Sequence, residues 1–264
     1  MSDLLQTAIE AARIGGAVLL SRRGSRPTGI DEKGQHDYVT DVDRASQRAV
    51  IDFLRRVRPD DAILAEEQES HPGTSGYRWI LDPLDGTTNY IHDYPFFAVS
   101  LGVWIGEEGI AGVVFDPVRE ELFQAERGAG AWLNGARLRV SSASGLSGSL
   151  LVTGFPFRDL ERIDAYVRSF HDLMPRCAGI RRDGSAALDL CYVACGRVDG
   201  FWEMGLSPWD LAAGVVIVRE AGGTVSDYCG AAAFMESGNI VAAAPGVHAE
   251  LLEVLQRHHA PRAG

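Results

Sequence analysis

The segment Asp82-Pro83-Leu84-Asp85-Gly86-Thr87-Thr88-Asn89-Tyr90 constrains this chain more than any other. It follows a largely apolar run, Tyr77–Leu81, that reads as a buried strand. A strand that ends in two acids, a proline and Gly-Thr-Thr is an unusual thing to build for stability, and reads as a place where metal ions and a phosphate meet. Asp82 and Asp85 lie three positions apart across the proline. That spacing lets both carboxylates converge, with the Leu84 carbonyl as a third oxygen. Hard oxygen donors of this kind suit Mg²⁺ or Mn²⁺. Asp-Pro and Asp-Gly are also common turn chemistry, so a capped turn is the competing reading. Gly86 lets the backbone approach an anion closely. Thr87 and Thr88 offer hydroxyls and amides at the start of a helix, a seat for phosphate.

Three other acidic positions carry a similar choice. Glu66-Glu67 ends the strand-like run Ile63–Ala65. Neighbours on a strand point to opposite faces, so at most one faces a site, and both fit an acidic loop with Glu69. Thr40 and Asp43 have the spacing of a capping box, with Asp41 between them. The other reading puts Asp43 beside a threonine hydroxyl, where it helps orient a water. Asp210 heads the apolar run Leu211–Ala221. It is either a helix cap and dipole partner or a carboxylate aimed at a metal.

Periodicity predicts helices over about 3–23, from Thr40 to Val57, and over Ile163–Met174, Ser185–Cys195, Leu211–Ala221 and Val247–His258. Between them lie strand-like runs: Ala62–Ala65, Tyr77–Leu81, Ala98–Ile105, Gly109–Phe115, Glu121–Ala125, Leu150–Thr153, Val198–Glu203, Val225–Asp227 and Ile240–Ala243. Gly24–Asp37 reads as a loop or irregular hairpin, and Ala260–Gly264 as a loose tail. Helix pairs alternating with groups of strands predict layered α and β rather than a simple doubly wound sheet. The small polar stretch Gly145–Ser149 marks a possible seam between two halves.

The 264 residues carry a formal charge of −11. An acidic field favours cations and disfavours nucleic acid or an anionic membrane as partner. No continuous apolar run approaches the ~20 residues of a membrane span. Asp3 and Glu10 interrupt the N-terminus, which argues against a secretory signal and for a cytoplasmic protein. The four cysteines are then reduced thiols, with Cys191 and Cys195 on one helix face as small core residues.

Taken together these segments resemble the inositol monophosphatase family, of the Mg²⁺-dependent, lithium-sensitive phosphatase superfamily. The resemblance rests on Ala65-Glu66-Glu67, on Trp79 to Asn89, and on Trp209-Asp210-Leu211-Ala212-Ala213-Gly214. Phe96–Ser100, Leu133-Asn134-Gly135, Gly184–Ala187 and Glu203-Met204-Gly205 extend it, in family order, from about residue 33 to 243. It implies one domain over residues 1–264, an α+β, αβαβα-layered sandwich. An N-terminal half of about 1–145 would hold most metal ligands, and a half of about 146–264 would add Asp210 and the substrate contacts. Glu66, Asp82 and the Leu84 carbonyl would hold a first Mg²⁺, and Asp82, Asp85 and Asp210 a second. A third, weaker ion would reach Glu66 through water, and Mn²⁺ could substitute.

The resemblance also implies that the Gly86 and Thr87 amides grip phosphate, with Lys33 nearby. Asp43 and Thr87 would orient and deprotonate the attacking water. Ser185, Ala186 and Glu203 would contact the polyol. Homodimers are typical of the family. Asp41 departs from the animal pattern and reads as solvent-facing.

The shared metal core leaves the substrate open between inositol monophosphate, histidinol phosphate, fructose 1,6-bisphosphate, NADP and 3′-phosphoadenosine 5′-phosphate; Glu203 with Ser185-Ala186 favours the first. A second reading is a regulatory scaffold for a protein or RNA partner, using Arg22, Arg23 and Arg26 or Arg55, Arg56 and Arg58 as a local patch. Ser/His hydrolase chemistry is disfavoured by scattered histidines and the lack of a Gly-x-Ser-x-Gly elbow.

Overall fold

The computed structural model describes residues 2–24, 29–34, 37–157 and 160–259. Two helices, α1 (Asp3–Arg22) and α2 (Asp41–Val57), flank a small hairpin of β1 (Asp31–Gly34) and β2 (Asp37–Val39). The hairpin occupies part of the predicted irregular stretch, and the tail from Ala260 lies outside the described residues. α2 starts where its sequence says it should: the Thr40 hydroxyl and the Asp43 carboxylate exchange backbone bonds in a capping box.

The first sheet has eight strands. It is built from β3 (Ala62–Ala65), β4 (Gln68–His71), β5 (Tyr77–Asp85), β6 (Ala98–Ile105), β7 (Glu108–Asp116), β8 (Glu121–Glu126), β9 (Gly130–Leu133) and β10 (Ala136–Arg137). Their order is β10-β9-β8-β7-β6-β5-β3-β4, antiparallel except where β3 runs parallel to β5. A short helix, α3 (Thr87–Ile91), follows β5.

The second half alternates β11 (Leu150–Thr153), α4 (Ile163–Leu173), β12 (Gly179–Arg181), α5 (Ala186–Ala194), β13 (Gly200–Glu203), α6 (Pro208–Glu220), β14 (Thr224–Ser226), α7 (Phe234–Ser237), β15 (Ile240–Ala243) and α8 (Pro245–His259). Its five strands form a mixed sheet of order β12-β11-β13-β15-β14.

Three apolar cores separate the layers. Leu5, Ile9, Val50 and Leu54 of α1 and α2 pack on Trp79, Leu81, Val99 and Val113 of the first sheet. The opposite face, with Ile80, Val114 and Phe123, packs on Leu190 of α5 and Val215 and Ile217 of α6, and the same core reaches Phe201 and Ala242 of the second sheet. That sheet's far face, with Leu151 and Trp202, is covered by Tyr166 of α4 and Leu251 and Leu255 of α8. The result is the expected α+β sandwich of αβαβα layers.

One expectation holds narrowly and another changes. α1 is a 20-residue helix with mean hydropathy 1.2, long and apolar enough by that measure to cross a membrane. Its residues Leu5, Ala8, Ile9, Ala12 and Leu19 are nevertheless buried in the first core. α6 begins at Pro208, three residues before the apolar run, because Pro at the first helical position and the Ser207–Asp210 capping box start it early.

Candidate active site

The acidic turn of the sequence is a bulged strand end. β5 does not stop at Leu81 but runs to Asp85. Asp82 pairs with Ser100 and Asp85 with Ala98, so three steps on β5 face two on β6. On a regular strand, residues three apart point to opposite faces. The extra residue reverses this. Leu84 stays with Trp79 and Leu81 in the α1–α2 core, and both aspartates turn to the α5–α6 side. There Asp85 accepts from the Ser185 hydroxyl (2.6 Å) and the Ala187 amide (2.7 Å).

Three elements bring the remaining acids to this edge. β3 lies parallel to β5, and the Glu66 amide donates to the Leu81 carbonyl at 3.3 Å, which sets Glu66 beside Asp82. The next amide, of Glu67, is held by Gln47 of α2 at 2.9 Å. α6 delivers Asp210 from its first turn, where one oxygen accepts from the Ser207 amide at 2.7 Å. One carboxylate oxygen each from Asp82, Asp85 and Asp210 lie within 4.8 Å of one another, and all three residues are buried.

This packing of like charge is electrostatically expensive. Burial, then the charges of Glu66, Asp85 and Asp210, holds Asp82 well above the usual carboxylate range. Burial, then Asp210, pushes Asp85 up to about 7. A divalent cation among these oxygens would reverse both effects, and an all-carboxylate set of hard donors fits Mg²⁺ or Mn²⁺.

Asp43 serves as both cap and relay. One oxygen caps α2 through the Thr40 amide (2.9 Å), and the other accepts from the Thr87 hydroxyl (3.0 Å). The two readings of this residue were therefore not exclusive. Burial raises its pKa. The Thr87 hydroxyl also lies 3.1 Å from the Leu84 carbonyl, so its single proton has two acceptors. Gly86 caps α3 with φ 94°, a left-handed conformation that favours glycine, and a Cβ there would lie 3.0 Å from the Phe96 carbonyl.

A cavity of about 520 Å³ opens over this edge, and Glu66, Asp82, Leu84, Asp85, Gly86, Thr87, Ala186, Glu203 and Asp210 all line it. Ser185 is not among the described lining residues; it caps α5, and its hydroxyl donates a hydrogen bond to Asp85. Lys33 lies in β1, but its side chain falls outside the described residues. Asp41 is half-buried and pairs with Arg22 at 3.1 Å instead of facing open solvent.

Sequence reading missed five contributors. Asn89 donates to the carbonyls of Phe96 (2.7 Å) and Asp183 (2.9 Å), tying α3 to the loop before α5. Gly154 lies under Glu203, whose carboxylate carbon is 1.9 Å from where a Cβ would sit. Phe155, Phe157 and Arg182 line the cavity. Asn89 carried a signal, following the two threonines; the others did not.

Comparison with known proteins bears on this constellation. A sequence profile of the inositol monophosphatase family matches residues 1–260. A Salmonella typhimurium protein named Nus factor SuhB is 49% identical over 250 residues, covering 94% of this chain and 93% of its own. The Bartonella henselae extragenic suppressor protein suhB superposes with a TM-score of 0.94 at 40% identity, covering 97% of this chain and 99% of the other. An inositol monophosphatase from Anabaena superposes with a TM-score of 0.86 at 43% identity, covering 97% and 96%. The chain belongs to the inositol monophosphatase family.

Proposed function

We propose that this protein is a metal-dependent phosphomonoesterase that hydrolyses a small polyol phosphate, with myo-inositol monophosphate as the favoured substrate. One observation carries the reading: three buried carboxylates on β5 and α6 converge within 4.8 Å beside a Thr87–Asp43 hydrogen bond. Glu66, Asp82, Asp85, Asp210 and the Leu84 carbonyl would hold two or three Mg²⁺ ions. Bound there, Mg²⁺ supplies positive charge for the phosphoryl oxygens and acidifies the attacking water.

The chain's own groups do the rest. Thr87 donates to Asp43, which leaves its oxygen lone pairs to accept from a water, and the proton moves through the hydroxyl to Asp43. A carboxylate raised by burial is a better proton acceptor than a free one. The Gly86 and Thr87 amides orient the phosphate, and Lys33 is a further candidate phosphate contact. Ala186 and Glu203 contact the polyol, and Ser185 acts through Asp85. The half-chains 1–145 and 146–264 work as one domain, in a cytoplasmic homodimer.

The test is phosphate release from inositol 1-phosphate, histidinol phosphate, fructose 1,6-bisphosphate, NADP and 3′-phosphoadenosine 5′-phosphate at equal concentrations. Inositol 1-phosphate is expected to turn over fastest, EDTA to stop the reaction and Li⁺ to inhibit it. Turnover unaffected by EDTA would sink the metal reading. A second prediction concerns Glu203. Gly154→Ala forces its flexible carboxylate to move, so KM for the polyol phosphate rises by roughly tenfold, worth about 1.4 kcal/mol, with little change in Tm. An unchanged KM would remove Glu203 from the substrate contacts.

The name Nus factor carried by relatives supports a second, regulatory role beside catalysis. The acidic charge of −11 argues for a protein partner over direct nucleic-acid contact. Of the arginines considered for it, Arg22 pairs with Asp41, Arg23 with Asp93 and Arg58 with Asp61, Arg56 stacks on the Phe53 ring, and Arg26 is outside the described residues. An Asp85→Asn chain that keeps the regulatory role while losing turnover would separate the two functions.

A further inference from the structure

One face of α2 is turned to the bulged strand end. Asp43, Ser46, Gln47 and Val50 fall at the spacing of a single helix face, and all four are buried, Ser46 and Gln47 with no exposed surface. Asp43 reaches Thr87. The other two polar side chains reach main chain. The Ser46 hydroxyl donates to the Pro83 carbonyl at 2.9 Å, and the Gln47 carboxamide oxygen accepts from the Glu67 amide at 2.9 Å. α1 closes over them: a Cβ at Gly15 would lie 3.0 Å from the Ser46 Oγ, so the hydroxyl has little room to turn away.

Each bond answers a local need. The register between β5 and β6 passes from Asp82 to Asp85 and leaves Pro83 and Leu84 out of the ladder. The Leu84 amide turns back to the Asp82 carboxylate at 3.0 Å, and the Pro83 carbonyl is taken by Ser46. That bond fixes the peptide plane one step before the Leu84 carbonyl. Leu84 lines the cavity although its side chain lies in the α1–α2 core, so it presents main chain there. On the neighbouring strand the Glu66 amide is held by Leu81 and the Glu67 amide by Gln47, which grips Glu66 from both sides. The other end of Gln47 has no such use: Nε2 is buried with no hydrogen-bond partner among the described residues. An unpaired buried amide costs about 1–3 kcal/mol, and a methionine would fill the same length without it. Stability therefore does not account for a glutamine here, whereas holding the turn at Glu66 does. Asp85 and Asp210 are held from elsewhere, by α5 and by the start of α6.

We propose that Ser46 and Gln47 are positioning residues for the cation: they hold the two main-chain segments that carry Glu66 and the Leu84 carbonyl, and thereby set the affinity for the ion bound on that side of the site. This rests on the metal reading given above. Neither residue is among the described residues that line the cavity, so both act through the backbone they hold. Fixing the direction of ligands before an ion arrives removes the ordering cost of binding, and groups that orient ligands in this way are typically worth about 10- to 100-fold in metal affinity.

The test measures metal binding apart from turnover. The metal-free full chain is titrated with Mg²⁺ and with Mn²⁺ by calorimetry, and its Tm is read without metal and at one fixed Mg²⁺ concentration. Gln47→Met keeps the length of the side chain and loses the acceptor; Ser46→Ala loses the donor. Each is expected to bind Mg²⁺ roughly tenfold more weakly and to show a smaller Mg²⁺-induced rise in Tm. For Gln47→Met the metal-free Tm is kept to within about 2 °C, because removing the unpaired nitrogen offsets the lost bond. A role confined to packing gives the reverse, a lower metal-free Tm with Mg²⁺ affinity intact. An affinity unchanged in either variant would overturn the assignment of that residue, whatever its metal-free Tm. Failure of the unmodified protein to bind either ion would remove the metal reading and this inference with it. Phosphate release by the unmodified protein is measured in parallel on the same panel of esters. No release, with metal binding weakened in the variants as expected, would leave the inference standing and discard the phosphatase reading.

Discussion

Asp85→Asn is expected to lower Mg²⁺-dependent phosphate release by about 100- to 1,000-fold while leaving the fold intact. The size follows from the charge: an ion at this position stabilises the developing negative charge by several kcal/mol, about 1.4 kcal/mol per tenfold in rate. The fold survives because an asparagine oxygen still accepts from Ser185 and the Ala187 amide, the two donors that fix the side chain. Only the oxygen facing Asp210 becomes an amide. The same variant has a second, opposite signature. Burial, then the Asp210 charge, pushes Asp85 in the metal-free folded chain up to about 7, above its ordinary 3.8. Between about pH 4 and 7 the metal-free native state therefore binds more protons than the unfolded chain, so stability falls as pH rises through that window. The metal-free protein should lose Tm from pH 5 to 8, Mg²⁺ should restore it, and Asp85→Asn should flatten both responses. Thermal melts with EDTA and with Mg²⁺ at several pH values read this directly. A metal-free Tm that rises across the window would contradict the repulsive cluster.

The second large effect lies away from the acids. Gly112→Ala should lower Tm by about 3–10 °C, from an overpacking cost of about 1–3 kcal/mol. Helix α6 rests almost backbone to backbone on the first sheet. A Cβ at Gly112 would come within 2.4 Å of the Ala213 carbonyl oxygen, and one at Gly102 within 2.8 Å of the Ala212 carbonyl carbon. These are main-chain atoms, which cannot swing aside as a side-chain tip can. The same approach lets Trp104 donate to the Ala212 carbonyl at 3.1 Å. Because Asp210 sits on the first turn of α6, lifting the helix also moves that carboxylate from Asp82 and Asp85. The Mg²⁺-induced rise in Tm should therefore shrink with the stability. A variant as stable as the parent would show that the helix and sheet can separate without cost.

The strands Ala62–Ala65, Ala98–Ile105, Leu150–Thr153 and Ile240–Ala243 were legible to the residue, because apolar runs bounded by polar or turn residues have few alternatives. β9, β10 and β12 were not, since two to four residues such as Ala136-Arg137 carry no period of their own. The start of α6 was read three residues late. Its first turn is polar, and the capping box rather than hydrophobicity defines it. In the site, the acids announced themselves by type and setting. Gly154 and Arg182 did not, because a glycine under a carboxylate and an arginine between two rings look like any other loop residues until the chain is folded.

The acidic segment at Asp82 by itself marked a cluster of oxygen donors near a strand end and a candidate anion seat beside it, while the strand runs on to Asp85. The sequence also named Glu66, Asp43 and Asp210, each near an element end, as candidate parts, with a loop or capping reading open for each. Tertiary structure decided the rest. The bulge between Asp82 and Asp85 turned two carboxylates to one face, which no spacing rule for a regular strand predicts. Parallel pairing of β3 with β5 set Glu66 beside them, and glycines at 102 and 112 let α6 come close enough to add Asp210. Spacing along a chain fixes local direction; convergence of charges from three distant segments depends on how closely their backbones can pack.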